Sequence, residues 1–251
     1  YDDAKYGHPS QRPYLDIVLP SMIDPNMAPP GKHVMSIFVQ YAPYHLAEGT
    51  WTDERREVSY SSHIGDKRTI IVQIWYPAET DSDDLIAPYS ALSNDYENVK
   101  SNSYLRPSFT NKLKKAPLIL ICPGRGTERF LYSTLAEDLA SHGFVVASID
   151  MPGIGYTIYK DGLLIKPSAE YKPPKGMMAG PYEKVDEFFE KPTEIGNQDL
   201  YFALKKITEL NDSDINNRFN DRIDLQNIGI FGHSLGGRIA GEFASKNENV
   251  K

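Results

Sequence analysis

Three short, unbroken apolar runs constrain this chain most: Leu118-Ile-Leu-Ile-Cys122, Phe144-Val-Val-Ala-Ser-Ile149 and Ile228-Gly-Ile-Phe231. A strand that is apolar on both faces has to be covered on both faces, and parallel sheets sandwiched by helices are where such strands occur. The intervening segments have helical periodicity. Phe130 to Ser141 carries Leu131, Leu135 and Leu139 four apart, with Gly143 where a C-cap belongs. Gln198 to Leu210 carries Leu200, Leu204, Ile207 and Leu210 on one face, with Asp199 early and Lys205 and Lys206 late, as the helix dipole favours. Gly237 to Ser245 reads as a last helix. The alternation predicts an α/β fold with a mainly parallel sheet, helices on both faces and right-handed crossovers.

Thr69 to Tyr76, closed by Pro77, reads as a further long strand, whereas Glu79 to Lys115 and Met151 to Ile195 read mostly as loop. Before residue 50 the pattern differs. Tyr14 to Leu19 and His33 to Gln40 are β-branched and aromatic runs bounded by prolines, which predicts an antiparallel ribbon. A ribbon of two strands buries too little surface to stand alone.

Composition removes several classes of function. Among 251 residues, 27 Lys and Arg against 34 Asp and Glu give a net charge of -7 with the signs interspersed, which opposes nucleic-acid binding. The single cysteine, Cys122, excludes an internal disulfide and any Cys-rich metal site, and its place in an apolar run predicts a buried structural thiol. No apolar run approaches the ~20 residues of a transmembrane helix, and no signal peptide opens the chain, so a soluble protein of unassigned compartment is expected. Tyr1 in place of Met suggests a fragment or a processed product.

The chemistry concentrates in Gly232-His-Ser-Leu-Gly236. By composition alone this G-x-S-x-G pattern arises in roughly one chain in ten of this length, so its setting carries the signal. It follows an apolar strand directly and opens a helix, as a nucleophile elbow does, and the flanking glycines suit a turn too tight for side chains. Ser234 is therefore the candidate nucleophile. An oxyanion hole would use the N–H of Leu235 and one from the loop Cys122-Pro-Gly-Arg-Gly126, with Arg125 as the best single candidate. Neither Gly124-x-Gly126 nor Gly153-x-Gly155 completes a dinucleotide fingerprint, and no pattern implies a cofactor or metal.

A general base is harder to find. The histidines are His8, His33, His45, His63, His142 and His233, and none lies in the 17 residues after Ser234. His233 adjoins the serine and should point away, which leaves His142 or His63 as the residues that could fold back.

From about Gly49 the chain resembles the platelet-activating-factor acetylhydrolase-like branch of the α/β-hydrolases. The residues carrying this are Trp51 to Glu57, Val72-Gln-Ile-Trp-Tyr-Pro-Ala78, Cys122 to Gly126, Ile149-Asp150, Asn197 to Leu200 and Phe231 to Gly237. The resemblance implies a serine esterase or lipase acting on small acyl esters or phospholipids, a role in lipid degradation. It puts Ser234 at the nucleophile and Leu235 and Arg125 at the oxyanion donors, and it implies a triad acid and His from strands beyond residue 251. Pro123-Gly124 replaces the usual His-Gly opening of the first loop.

Residues 1 to about 57 resemble a stretch near the C-terminal end of phytoene-dehydrogenase-like FAD/NAD(P)-dependent oxidoreductases. Gly7 to Ser10, Leu19-Pro-Ser21, Ala28 to Val34 and Gln40-Tyr-Ala-Pro-Tyr44 carry this likeness. The expected division is an oxidoreductase-like fragment over 1–52 and a hydrolase domain over 53–251, incomplete at its C-terminus. Two other readings follow: a flavin oxidoreductase fragment, which a yellow chromophore would favour, and a catalytically silent composite chain.

Overall fold

The computed structural model describes residues 14–18, 36–40, 49–57, 67–80, 84–89, 100–159 and 163–250. Strands β1 (Tyr14–Val18) and β2 (Ser36–Gln40) form an antiparallel ribbon in which Leu15 pairs with Val39. They precede β3 (Gly49–Glu57) and β4 (Lys67–Trp75). Four short strands come next: β5 (Ala78–Glu79), β6 (Ile86–Pro88), β7 (Lys100–Tyr104) and β8 (Ser108–Phe109). The remainder is β9 (Ala116–Cys122), α1 (Ser133–Ser141), β10 (Val145–Asp150), β11 (Thr157–Ile158), β12 (Leu164–Ile165), α2 (Tyr182–Asp212), β13 (Ile223–Gly232) and α3 (Leu235–Ser245).

Five strands build the central sheet in the order β13-β9-β10-β4-β3. β13, β9 and β10 are mutually parallel, β4 runs against β10, and β3 runs against β4, so four of the five point one way. The period-two alternation sorts their side chains onto two faces. Ile70, Val72 and Ile74 of β4, Leu118 and Leu120 of β9, and Val145, Ala147 and Ile149 of β10 enter one core with Leu200, Ala203 and Ile207 of α2 and Ile239, Ala240 and Phe243 of α3. Trp75, Ile121 and Val146 face the other way, against Phe130 and against Ala136 and Ala140 of α1. Helices thus cover both faces. Cys122 is fully buried, and burial pushes its thiol far above its ordinary range.

Two expectations need correction. Glu79 to Lys115 is not loop throughout: β5 pairs with β8 and β6 with β7, both antiparallel. These strands are two to five residues long, and β7 reads Lys-Ser-Asn-Ser-Tyr, so hydropathy has nothing to alternate. Nor is Met151 to Ile195 loop throughout, because α2 begins at Tyr182 and runs 31 residues, about 46 Å at 1.5 Å per residue. Pro192 lies inside it. Its missing N–H would ordinarily break a helix. Here tertiary packing compensates, since Pro192, Thr193 and Gly196 are buried, and a Cβ on Gly196 would meet Ile239 Cδ1 of α3 at 2.5 Å. Among the described residues no helix is long and apolar enough to cross a membrane.

Candidate active site

β9 and β13 lie side by side with Gly232 opposite Cys122, so the two loops that leave them emerge together at the same end of the sheet. The first two turns of backbone after β13 are cross-tied. His233 N–H donates to Cys122 O at 3.2 Å, Gly236 N–H to His233 O at 2.8 Å and Gly237 N–H to Ser234 O at 2.9 Å. This forces Ser234 to φ 54° and ψ -122°, a positive φ that costs a non-glycine residue on the order of 1–3 kcal/mol. The glycines are obligatory: a Cβ on Gly232 would run into Gly236 O, and one on Gly236 into Cys122 O and Pro123 O. Ser234 itself is exposed, at the mouth of α3.

The loop after β9 closes over this elbow. A Cβ on Gly124 would fall 2.8 Å from His233 Nδ1, 2.9 Å from His233 O and 3.3 Å from Ser234 Cβ, so Gly124 is in contact with the elbow and has no room for a side chain. Thr127 fixes the loop from within, its N–H and Oγ1 both donating to Gly124 O at 3.1 and 2.7 Å. Gly126 N–H donates to Ile154 O and Tyr156 N–H to Thr127 O, which ties the loop to residues 151–156 after β10. Arg125 Nη2 reaches Ser168 O at 3.1 Å. Among the described residues, no acceptor takes the N–H of Leu235 or of Arg125. The structure therefore brings Ser234, Leu235 and the Arg125 loop together at one end of the sheet, with two unpaired amide donors on either side of the elbow.

Two buried ion pairs that the sequence reading missed support this arrangement. Asp150, the last residue of β10, accepts the Arg129 N–H through Oδ1 at 2.7 Å and pairs with the Arg129 guanidinium through Oδ2, both side chains being almost fully buried. This holds the chain where it leaves the Gly124 loop and enters α1. Arg68 makes a bidentate pair with Asp199 of α2, Nε to Oδ1 at 2.8 Å and Nη2 to Oδ2 at 2.6 Å, and also donates to Pro152 O at 2.9 Å. A usable signal existed for Asp150, a carboxylate ending an otherwise apolar strand. Beside it, Glu128 is half-buried; burial raises its carboxyl above the ordinary 4.5, the Asp150 charge adds to the rise, and Arg129 opposes it.

The histidines divide. His233 lies against Gly124, with its ring 6.4 Å from that of Tyr132. His142 follows α1 at the far end of the sheet from Ser234, with its Nδ1 2.8 Å from Asp138 O, and is too remote to serve as the base. His8, His33, His45 and His63 lie outside the described residues.

The strand order, the helices on both faces and the strained serine between strand and helix define an α/β hydrolase. Residues 117–251, more than half of the chain, match the α/β hydrolase fold family, and the chain belongs to it. Residues 80–152 match the family described as platelet-activating factor acetylhydrolase, isoform II. A ferulic acid esterase from Streptomyces cinnamoneus shares the fold with a TM-score of 0.64 at 22% identity, over 83% of this chain and 57% of that one. The N-terminal segment is similar to pyridine nucleotide-disulfide oxidoreductase domain-containing protein 2, at 47% identity over 66 residues for the Rattus norvegicus protein and 46% for that of Mus musculus. That match covers 26% of this chain and spans only 11% of those relatives.

Proposed function

We propose that this protein is a carboxylic-ester hydrolase in which Ser234 attacks the acyl carbonyl and the N–H groups of Leu235 and Arg125 hold the oxyanion. The observation that carries this reading is the exposed Ser234 at φ 54° with both donors unpaired around it. Attack forms the Ser Oγ–C bond, pushes the carbonyl electrons onto oxygen and releases the alcohol, leaving an acyl-enzyme for water to cleave. The serine proton must pass to a base. Among the described residues no histidine is placed to take it, since His142 is remote and His233 is turned onto Gly124. The match over residues 80–152 supports short-chain acyl esters, including those of phospholipids, as substrates, and the segment between β10 and α2, with its exposed Leu163, Leu164 and Met178, as the wall they meet.

In this reading residues 1–52 are an oxidoreductase-like segment and 53–251 the hydrolase domain, with β3 crossing the division to pair with β4. A serine with no base beside it reacts slowly, because an oxyanion hole alone retains only a small part of the rate. Labelling with a fluorophosphonate tests this. The chain should label slowly and through Ser234 only, so that Ser234→Ala abolishes it, and Gly124→Ala should depress it by displacing the loop. Labelling at another residue would overturn the assignment, and rapid labelling would show that one of the upstream histidines serves as base.

A further inference from the structure

Helix α2 grips both sides of the candidate oxyanion hole through polar side chains. On the elbow side it holds Arg238, in the first turn of α3, whose own N–H donates to Ser234 O at 3.3 Å. Arg238 Nε donates to Thr193 Oγ1 at 2.9 Å, and its Nη1 pairs with Asp186 Oδ1. On the loop side, Asp199 holds the Arg68 guanidinium, which donates onward to Pro152 O at 2.9 Å. Pro152 belongs to the turn that accepts Gly126 N–H at Ile154 O and gives Tyr156 N–H to Thr127 O.

The grip on Arg238 is built where α2 is least regular. Pro192 brings no N–H to the helix, and beside it Thr193 Oγ1 donates its proton to Phe189 O at 2.6 Å. That commits the hydroxyl proton and leaves the lone pairs of the oxygen to accept from Arg238 Nε. Thr193 is fully buried and Asp186 half-exposed, so Arg238 has one acceptor away from water and one beside it. Thr193 and Asp199 are six residues apart on one continuous helix, about 9 Å of axis at 1.5 Å per residue. A helix of fixed rise between two grips sets a distance.

We propose that α2 sets the separation of the two oxyanion donors: Thr193 through Arg238 positions the Leu235 N–H, and Asp199 through Arg68 positions the Arg125 N–H. Donors serve an oxyanion only when held about 3 Å from it in advance, so a small drift on either side forfeits the pair. Thr193, Arg238, Arg68 and Asp199 act through the backbone they hold and are positioning residues. Their role in catalysis rests on the ester-hydrolase reading, whereas their hold on the elbow and the loop does not.

Thr193→Val keeps the shape and removes the acceptor, while Thr193→Ser restores it. In amide hydrogen exchange on the full chain, the Gly237 and Arg238 N–H groups, which donate to Ser234 O, should exchange about tenfold faster in Thr193→Val and at the parental rate in Thr193→Ser. The amides of Leu118 and Leu120 in β9 should be unchanged in both, which separates local loosening from a general loss of stability. Arg68→Met with Asp199→Leu, a paired change that leaves no buried charge behind, should loosen the Gly126 and Tyr156 amides in the same way. Fluorophosphonate labelling of Ser234 should slow about tenfold in Thr193→Val and in the paired variant, and recover in Thr193→Ser. Equal exchange in Thr193→Val and Thr193→Ser, or a parental labelling rate in both loosened variants, would overturn the proposal. Failure of the parent chain to label through Ser234 would instead overturn the ester-hydrolase reading, with exchange still deciding whether α2 holds the two segments.

Discussion

The two faces of the central sheet are built from the same three strands and differ in kind. The face under α2 and α3 is apolar along β9 and β10 and along β4 from Ile70 onward, with the buried Arg68–Asp199 pair at the start of β4. The face toward α1 carries Gln73, Ser148 and Asp150, each no more than 1% exposed, among its apolar residues. Apolar burial is non-directional: it holds layers together without saying which atom sits where. Hydrogen bonds are directional, and on the polar face they locate particular backbone atoms. Asp150 takes the Arg129 N–H, and Ser148 Oγ donates to Arg129 O at 3.2 Å, so both polar atoms of one peptide segment leaving the Gly124 loop are fixed from the sheet beneath. The first face supplies mainly cohesion, with Arg68 holding Pro152 O from its edge, and the second positions the Gly124 loop.

That contrast fails most visibly if Asp150 proves dispensable. Asp150→Ala leaves a buried guanidinium and a buried backbone N–H without their carboxylate, and should cost about 3–5 kcal/mol in a denaturant titration. The double change Arg129→Met with Asp150→Leu should recover most of that stability while still impairing Ser234 labelling, because the loop loses its tether but the core keeps its volume. If the double variant labelled like the parent, the polar face would have no positioning role.

On the opposite face, Leu120→Ala should cost about 3 kcal/mol, the usual range for a large-to-small change in a core. Here the labelling rate of the remaining folded protein should be unchanged. Leu120 is fully buried between β9 neighbours and the two helices, and contributes cohesion only. A labelling defect out of proportion to the stability loss would mean that both faces position the site.

The legible parts of this molecule were those where one chemistry repeats. β9, β10 and β13 announce themselves as apolar runs, and the elbow as glycines at fixed spacing about a serine. The reversal of β4 left no trace, because a strand buried on both faces reads alike in either direction. Residues Tyr182 to Glu194 read as loop since their carboxylates and lysines hide a sparse apolar stripe, and Pro192 argues locally against the helix that α3 packing preserves. Arg129–Asp150 and Arg68–Asp199 join residues 21 and 131 apart in sequence, and nothing local predicts such partners.

Gln73 tests the polar face from the other side. It is fully buried opposite Ser148, and neither its Nε2 nor its Oε1 has a partner among the described residues. An amide left unsatisfied works against folding, and Gln73→Met, similar in volume and without polar atoms, should stabilise the protein by about 1–2 kcal/mol. Destabilisation by this change would show that the amide is satisfied by ordered water and belongs to the positioning network.

The smallest expected effect concerns pH. Glu128 and Glu137 both have carboxyls raised above 4.5, first by burial; at Glu137 the hydrogen bonds from Ser103, Ser101 and Asn102 oppose the rise, and at Glu128 the Asp150 charge reinforces it. An acid whose pKa is higher folded than unfolded favours the folded state while protonated. Its contribution is therefore complete below about 4.5 and is lost as pH climbs through the raised folded value. Asp214 works in the other direction. Burial acts against its charged form, but the N–H groups of Asn216, Arg218 and Phe219 outweigh it and hold the carboxyl below 3.8, so its contribution is present above that value and is lost on acidification. Because the Asp214 window lies below the glutamate window, stability should pass through a shallow maximum in mild acid. Glu128→Gln mimics the protonated acid, and should flatten the decline on the alkaline side while leaving the acid limb unchanged. Denaturant midpoints measured from pH 3 to 8 read this directly, and an unaltered alkaline limb in Glu128→Gln would mean that Glu128, although it adjoins Asp150, is solvated well enough to be independent of the polar face.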